Sequence, residues 1–166
     1  MDLHTPNPAL ERLITRLADS RRYDLLRKFA CWCARQVGPG SPDNAQLIHT
    51  AECYARGEIS FEKMSAEDDS LGGSLAAAFL IGVQKCHDPG AAVRLTCGST
   101  HNRDARIAAQ EAANWMRRYY ILAGRRWGAP EDVIRRRAQQ AARLQVTALQ
   151  LIANGQSPQE VKIELN

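Results

Sequence analysis

Two long runs near the end of the chain most constrain what it can fold into. Over residues 102–123, Ala105, Ala108, Ala109, Ala112, Trp115, Met116, Tyr119 and Leu122 recur at three- and four-residue spacing. That is the period of an apolar stripe along a helix. Residues 124–128, which start and end on Gly, predict a break. Residues 130–153 then predict a second helix of about six turns. Pro130, Glu131 and Asp132 suit its first turn, because Pro fixes a helical φ and acids complement the positive helix start. No stretch sustains the apolar–polar alternation of a strand. A chain whose strongest pattern is two such helices has to bury them against further helices.

The rest of the sequence supplies those partners. Asn7-Pro8 opens a helix to Ala18 carrying Leu10, Leu13, Ile14 and Leu17 on one side. Leu25, Leu26, Phe29, Ala30, Cys33 and Val37 form a stripe, with Arg21, Arg22, Arg27, Lys28 and Arg35 mainly opposite. Gly38-Pro39-Gly40-Ser41-Pro42 ends that helix. Leu47, Ile48, Ala51, Tyr54 and Ala55 mark the next one, Gly57 is placed to close it, and Ser60 to cap a short helix to Glu67. A helix over residues 71–86 carries Leu75, Ala78, Phe79, Gly82, Val83 and Cys86. Its glycines predict close packing. Asp88-Pro89-Gly90 starts another helix, through Cys97, and Ser157-Pro158-Gln159-Glu160 reads as the capping box of a last short one. The expected architecture is all-α: one domain over residues 1–166, a bundle of about seven helices arranged as antiparallel hairpins.

The stretch LLRKFACWCARQVGPGSPDNAQLIHTAECYARGEISFEKM, residues 25–64, resembles the opening segment of bacterial immunity proteins of the Imm5-like type. That family pairs an aromatic and Cys-rich helix with a second helix ending in a turn like Ala55-Arg56-Gly57-Glu58-Ile59-Ser60. The resemblance implies a non-enzymatic inhibitor of a toxin or nuclease. It carries no partner-binding residue across, because the family continues with Ala/His-rich helices. Here the chain has Ala76-Ala77-Ala78-Phe79 and then an Arg-rich end.

Charge is unevenly spread along the chain. Residues 102–143 hold ten Arg against four acids, and residues 52–69 hold six acids against two bases. This predicts a basic C-terminal face and an acidic edge. A basic face attracts an acidic protein or, by counterion release, nucleic acid. Solvated local pairs such as Asp132 with Arg136 are the plainer alternative. The net charge is only +4 and no nucleic-acid motif is present, so an acidic protein is the expected macromolecular partner and nucleic acid the second. Arg117, Arg118, Arg125, Arg126 and Trp127 flank one helix–helix break and are the expected binding residues, since Arg and Trp are typical interface anchors. A lid over the core between the two helices is the plainer alternative for Trp127.

Chemistry-bearing clusters are thin. His49 with Cys53, and Cys97 with His101, have i, i+4 spacing and suitable zinc donors, but no C-x₂-C pair accompanies them. Cys33 reads as core and Cys31 as partly exposed. Cys86-His87-Asp88 holds a nucleophile, a base and an orienter, yet adjacent helical residues point apart. No phosphate-binding loop, dinucleotide fingerprint or HExxH is present. No metal, cofactor or catalytic residue is therefore expected. No apolar run approaches the ~20 residues of a membrane span, the N-terminus lacks a secretory pattern, and five cysteines are an odd number. Together these suggest a reducing cytoplasm. The expected function is a binding or inhibitor protein of bacterial or phage type. A nucleic-acid-associated protein, and then a metal-binding protein or enzyme, are the alternatives.

Overall fold

The computed structural model describes residues 7–71 and 88–158. It is all-helical, and helices take up 79% of those residues. Seven helices lie among them: α1 (Pro8–Asp19), α2 (Tyr23–Val37), α3 (Pro42–Ala55), α4 (Phe61–Ser70), α5 (Pro89–Ser99), α6 (Ala105–Arg126) and α7 (Glu131–Ala153). Leu71 is the C-cap of α4; the rest of the expected helix over residues 71–86, and the closing short helix beyond Pro158, fall outside the described residues.

Local chemistry sets the helix starts. Asn7 Oδ1 accepts from Ala9 N, Ser41 Oγ from Asn44 N, and Ser60 Oγ from Lys63 N. Asp88 Oδ2 accepts from Ala91 N, and Asp104 Oδ1 from both Arg106 N and Ile107 N. Each bond satisfies donors that the first turn cannot pair internally. Gly57 closes α3 at φ +74°. Its N–H bonds Tyr54 O, and Glu58 N bonds Cys53 O, a Schellman closure that needs the left-handed residue.

One expected boundary moves. Gly124 does not break α6, which runs through it to Arg126. A Cβ at Gly124 would sit 2.8 Å from Ile134 Cγ1, so the glycine is there to let α7 approach. The pairing of Gly124 with Ile134, and of Ala113 O with Gln145 Nε2 (2.7 Å), makes α6 and α7 an antiparallel hairpin.

The centre of the bundle is the pair α2 and α6. Helix α2 packs on α1, α3, α5, α6 and α7, and α6 on α1, α2, α5 and α7. This pair runs parallel. Arg27 reaches Asn102 O and Arg103 O at the start of α6, while Tyr120 Oη donates to Gln36 O near the other end. Ala108, Ala109, Ala112 and Ala113 allow close approach, and Phe29, Leu26, Met116 and Leu149 fill the space between. Truncating a side chain buried as completely as Phe29 costs about 3–5 kcal/mol. Helix α5 is buried along almost its whole length. Its Thr96 and Ser99 hydroxyls, with Thr100 just beyond, donate back to Ala92 O, Leu95 O and Cys97 O, so they enter the core already satisfied.

Candidate partner-binding surface

The five residues expected to bind a partner separate into three environments. Arg117 is buried at 7% exposure, with Nη2 on Asn114 Oδ1 (2.7 Å). Desolvation lowers its pKa, opposed by the charge of Glu11. It belongs to the packing of α1 on α6 and not to an exposed face, which corrects the expectation. Arg118 is half-buried, with its guanidinium 5.2 Å from the Trp115 ring centroid. Arg125, Arg126 and Trp127 are exposed at the corner between α6 and α7.

That corner is stiff. Gly128 N bonds Arg125 O (3.1 Å) and Ala129 N bonds Gly124 O (2.9 Å), with Gly128 at φ +69°. This is again a Schellman closure, and Trp127 is the residue it carries at the end of α6. Trp127 is 57% exposed, the most exposed large hydrophobic residue among those described. It is a projecting side chain and not a lid. Arg126 Nη1 bonds Asp88 Oδ1 (2.7 Å), joining the end of α6 to the start of α5, and Arg125 lies 3.6 Å from Glu131. Arg136 pairs with Asp132 at 2.9 Å. Exposed pairs of this kind contribute about 0–1 kcal/mol each. They nonetheless neutralise much of the basic face that the arginine count suggests.

The acidic edge is reduced in the same way. Glu52 pairs with Arg35 and Glu58 with Arg56, whose hydrogen bond holds Glu58 below the usual carboxylate range. Asp68 is buried, with Oδ1 4.0 Å from His101 Nδ1. His101 Nε2 lies 2.7 Å from Leu47 O, which fixes a proton on that nitrogen because a carbonyl only accepts. Arg27, also buried, fastens the loop before α6 and lies under the Tyr54 ring at 4.6 Å. It therefore does not sit on the solvent side of α2 as the charge pattern predicted.

Among the described residues the thiol and imidazole groups lie in separate places. Cys53 Sγ is 3.7 Å from His49 Nε2 and 3.4 Å from Arg56 Nη2 at the surface. Desolvation and the hydrogen bond to Glu58 raise the Cys53 pKa, so the thiol stays protonated at neutral pH. Cys97 and His101 face the core instead, and burial pushes Cys97 up to about 12. Cys31, expected to be partly exposed, is buried at 3% against Ala51 and Met64. Among the described residues no three His, Cys, Asp or Glu side chains converge as a metal site. Of the Cys86-His87-Asp88 triplet only Asp88 is described, as the cap of α5.

The sequence reading missed one feature, an open groove of about 470 Å³ between α2, the end of α3 and the residues after α7. Leu25, Trp32, Ala55 and Ile152 line its apolar part. The available signal was that residues 25–34 of α2 are apolar nearly all round, which one packed face does not require.

Among the described residues no helix is long and apolar enough to cross a membrane. No protein-family model matches the chain, and no curated protein or solved structure matches it.

Proposed function

We propose that this chain is a non-enzymatic binding protein that blocks an acidic protein partner through the α6–α7 corner. It would work in the manner of the bacterial immunity proteins that residues 25–64 resemble, or of a phage inhibitor, in a reducing cytoplasm. One observation carries the reading: a 57% exposed Trp127 held on a stiff corner beside Arg125 and Arg126. A backbone held in place before binding lowers the ordering cost when the side chain it carries docks. A tryptophan buries up to ~250 Å², so at ~25 cal/mol per Å² the exposed 57% of Trp127 is worth about 4 kcal/mol at most on burial. That is the scale of an interface anchor.

A protein partner is favoured over nucleic acid because the net charge is only +4 and no nucleic-acid motif is present. An enzymatic or metal-binding role has less support, given the protonated Cys53 thiol and the separation of the two His/Cys pairs.

The test is affinity capture from a bacterial host, repeated with Trp127→Ala and Arg126→Glu, followed by affinities for the partner recovered. Trp127→Ala should weaken binding by about 2 kcal/mol, roughly thirtyfold. Arg117→Ala should lower stability and leave the affinity of the folded protein unchanged. Equal small losses at every arginine with a steep salt dependence would assign the face to nucleic acid instead. Full binding by both corner variants would refute the proposal.

A further inference from the structure

The groove beside Trp32 lies at the other end of the α6–α7 hairpin from the Trp127 corner. The 23 residues of α7 separate the two by roughly 35 Å, so one ligand does not explain both. Its lining combines an apolar floor with a rim of three cations, Lys28, Arg35 and Arg56, against one acid, Glu52. Glu52 is already paired with Arg35. Lys28 is exposed and has no carboxylate within ion-pair distance among the described residues. The Cys31 thiol, also in the lining, stays neutral because burial pushes it up to about 12, and so adds no negative charge.

A second observation points to a missing hydrogen-bond partner. Trp32 is 7% exposed, and its Nε1 is buried with no acceptor among the described residues. A buried donor left unmade is costly. Trp32 lines this groove and also a neighbouring cavity of about 370 Å³, and Gln156, Ser157 and Pro158 border both. The volume falls within the roughly 300–1,000 Å³ of small-ligand sites.

We propose that the groove binds a small amphiphilic carboxylate, an apolar chain or ring bearing one acid group. The apolar part lies on Leu25, Trp32 and Ile152, and the carboxylate takes Lys28. The carboxylate meets a cation that has no carboxylate partner among the described residues, while the chain replaces water on apolar surface.

The experiment titrates the intact protein with decanoate well below its micelle-forming concentration. It follows the indole N–H resonance of Trp32, assigned through a Trp32→Phe variant. Decanoate should move that resonance saturably. Lys28→Glu, an exposed substitution that leaves the fold intact, should weaken the effect by about tenfold or more. Decylammonium, with the same chain and the opposite head, should bind at least about tenfold more weakly than decanoate. Trp127→Ala should change nothing, which keeps this site separate from the corner. Equal binding of decylammonium, insensitivity to Lys28→Glu, or no shift of Trp32 at all would each overturn the proposal. So would a response to an acidic hexapeptide with none to decanoate, which would make the groove a peptide dock.

Discussion

Gly124→Ala pits two well-characterised effects against each other at the hairpin that presents Trp127. Alanine in a helix interior is favoured over glycine by about 1 kcal/mol. Against this, the new methyl would lie 2.8 Å from Cγ1, 3.5 Å from Cδ1 and 3.7 Å from Cβ of Ile134. Cγ1 sits next to the branch point of a stiff β-branched side chain that is 1% exposed, so it cannot swing away. Overpacking of this kind costs about 1–3 kcal/mol. The balance is a net loss of about 1 kcal/mol, and a melting temperature lower by about 2–4 °C for a chain of this size. Urea unfolding would measure it as a lower midpoint at unchanged slope. Ile134→Ala alone should cost about 2–5 kcal/mol. In the double variant the methyl partly fills the vacated space, so the two losses should fall short of additivity by about 1–2 kcal/mol. Stabilisation by the full propensity gain of about 1 kcal/mol in Gly124→Ala would refute the close approach of α6 and α7.

Two other perturbations probe the interior. Burial holds the His101 pKa below its ordinary 6.5, so the unfolded chain binds a proton there that the native state refuses. Stability should therefore fall as pH drops below about 6.5, and urea midpoints should fall further in the native sequence than in His101→Asn. A relative gain on acidification would mean that Asp68, 4.0 Å away, outweighs burial. In a Cys86→Ala background, only Cys53 among the four described thiols should react quickly with an aromatic disulfide reagent, because Cys31, Cys33 and Cys97 are buried. Fast labelling of a second thiol in the folded protein would contradict the packing of α2 or α5.

The helices were legible because their signals are local. Ser60 and Asp88 cap where a short polar side chain precedes a helix, and Gly57 takes the left-handed residue that closes α3. The parallel contact of α2 with α6 was not legible, since it joins residues about 80 positions apart and leaves no periodic trace. The burial of α5 was hidden for a related reason. Thr96, Ser99 and Thr100 look polar in sequence, yet each hydroxyl is consumed by a carbonyl three or four residues earlier. Gly124 was read as punctuation because a glycine needed for conformational freedom and one needed for missing volume look the same in sequence.

The arginine cluster shows where charge counting fails and helical geometry would have served. At about 100° per residue, Arg117 falls within about 60° of Ala113, Tyr120 and Gly124, all of them buried. Arg126 is turned by about 200° from Gly124 on the same count, toward solvent. Proximity in sequence placed Arg117 and Arg126 on one face, and rotation about the helix axis puts them on opposite ones. A long aliphatic stem lets an arginine enter such a stripe while its head reaches a polar atom, here Asn114 Oδ1 for Arg117. Arg27 does the same on α2 with two backbone carbonyls. The buried arginines are thus part of what fastens the helices, while Arg125, Arg126 and Lys28 keep their heads in water. Replacing Arg117 by Met, which keeps the stem and drops the charge, should accordingly disturb folding stability while leaving partner affinity alone. Arg126→Met should do the reverse, because its Asp88 pair is exposed and contributes at most about 1 kcal/mol. Urea midpoints and partner affinities for the two variants would separate the roles, and a loss of affinity in folded Arg117→Met would return that residue to the binding face.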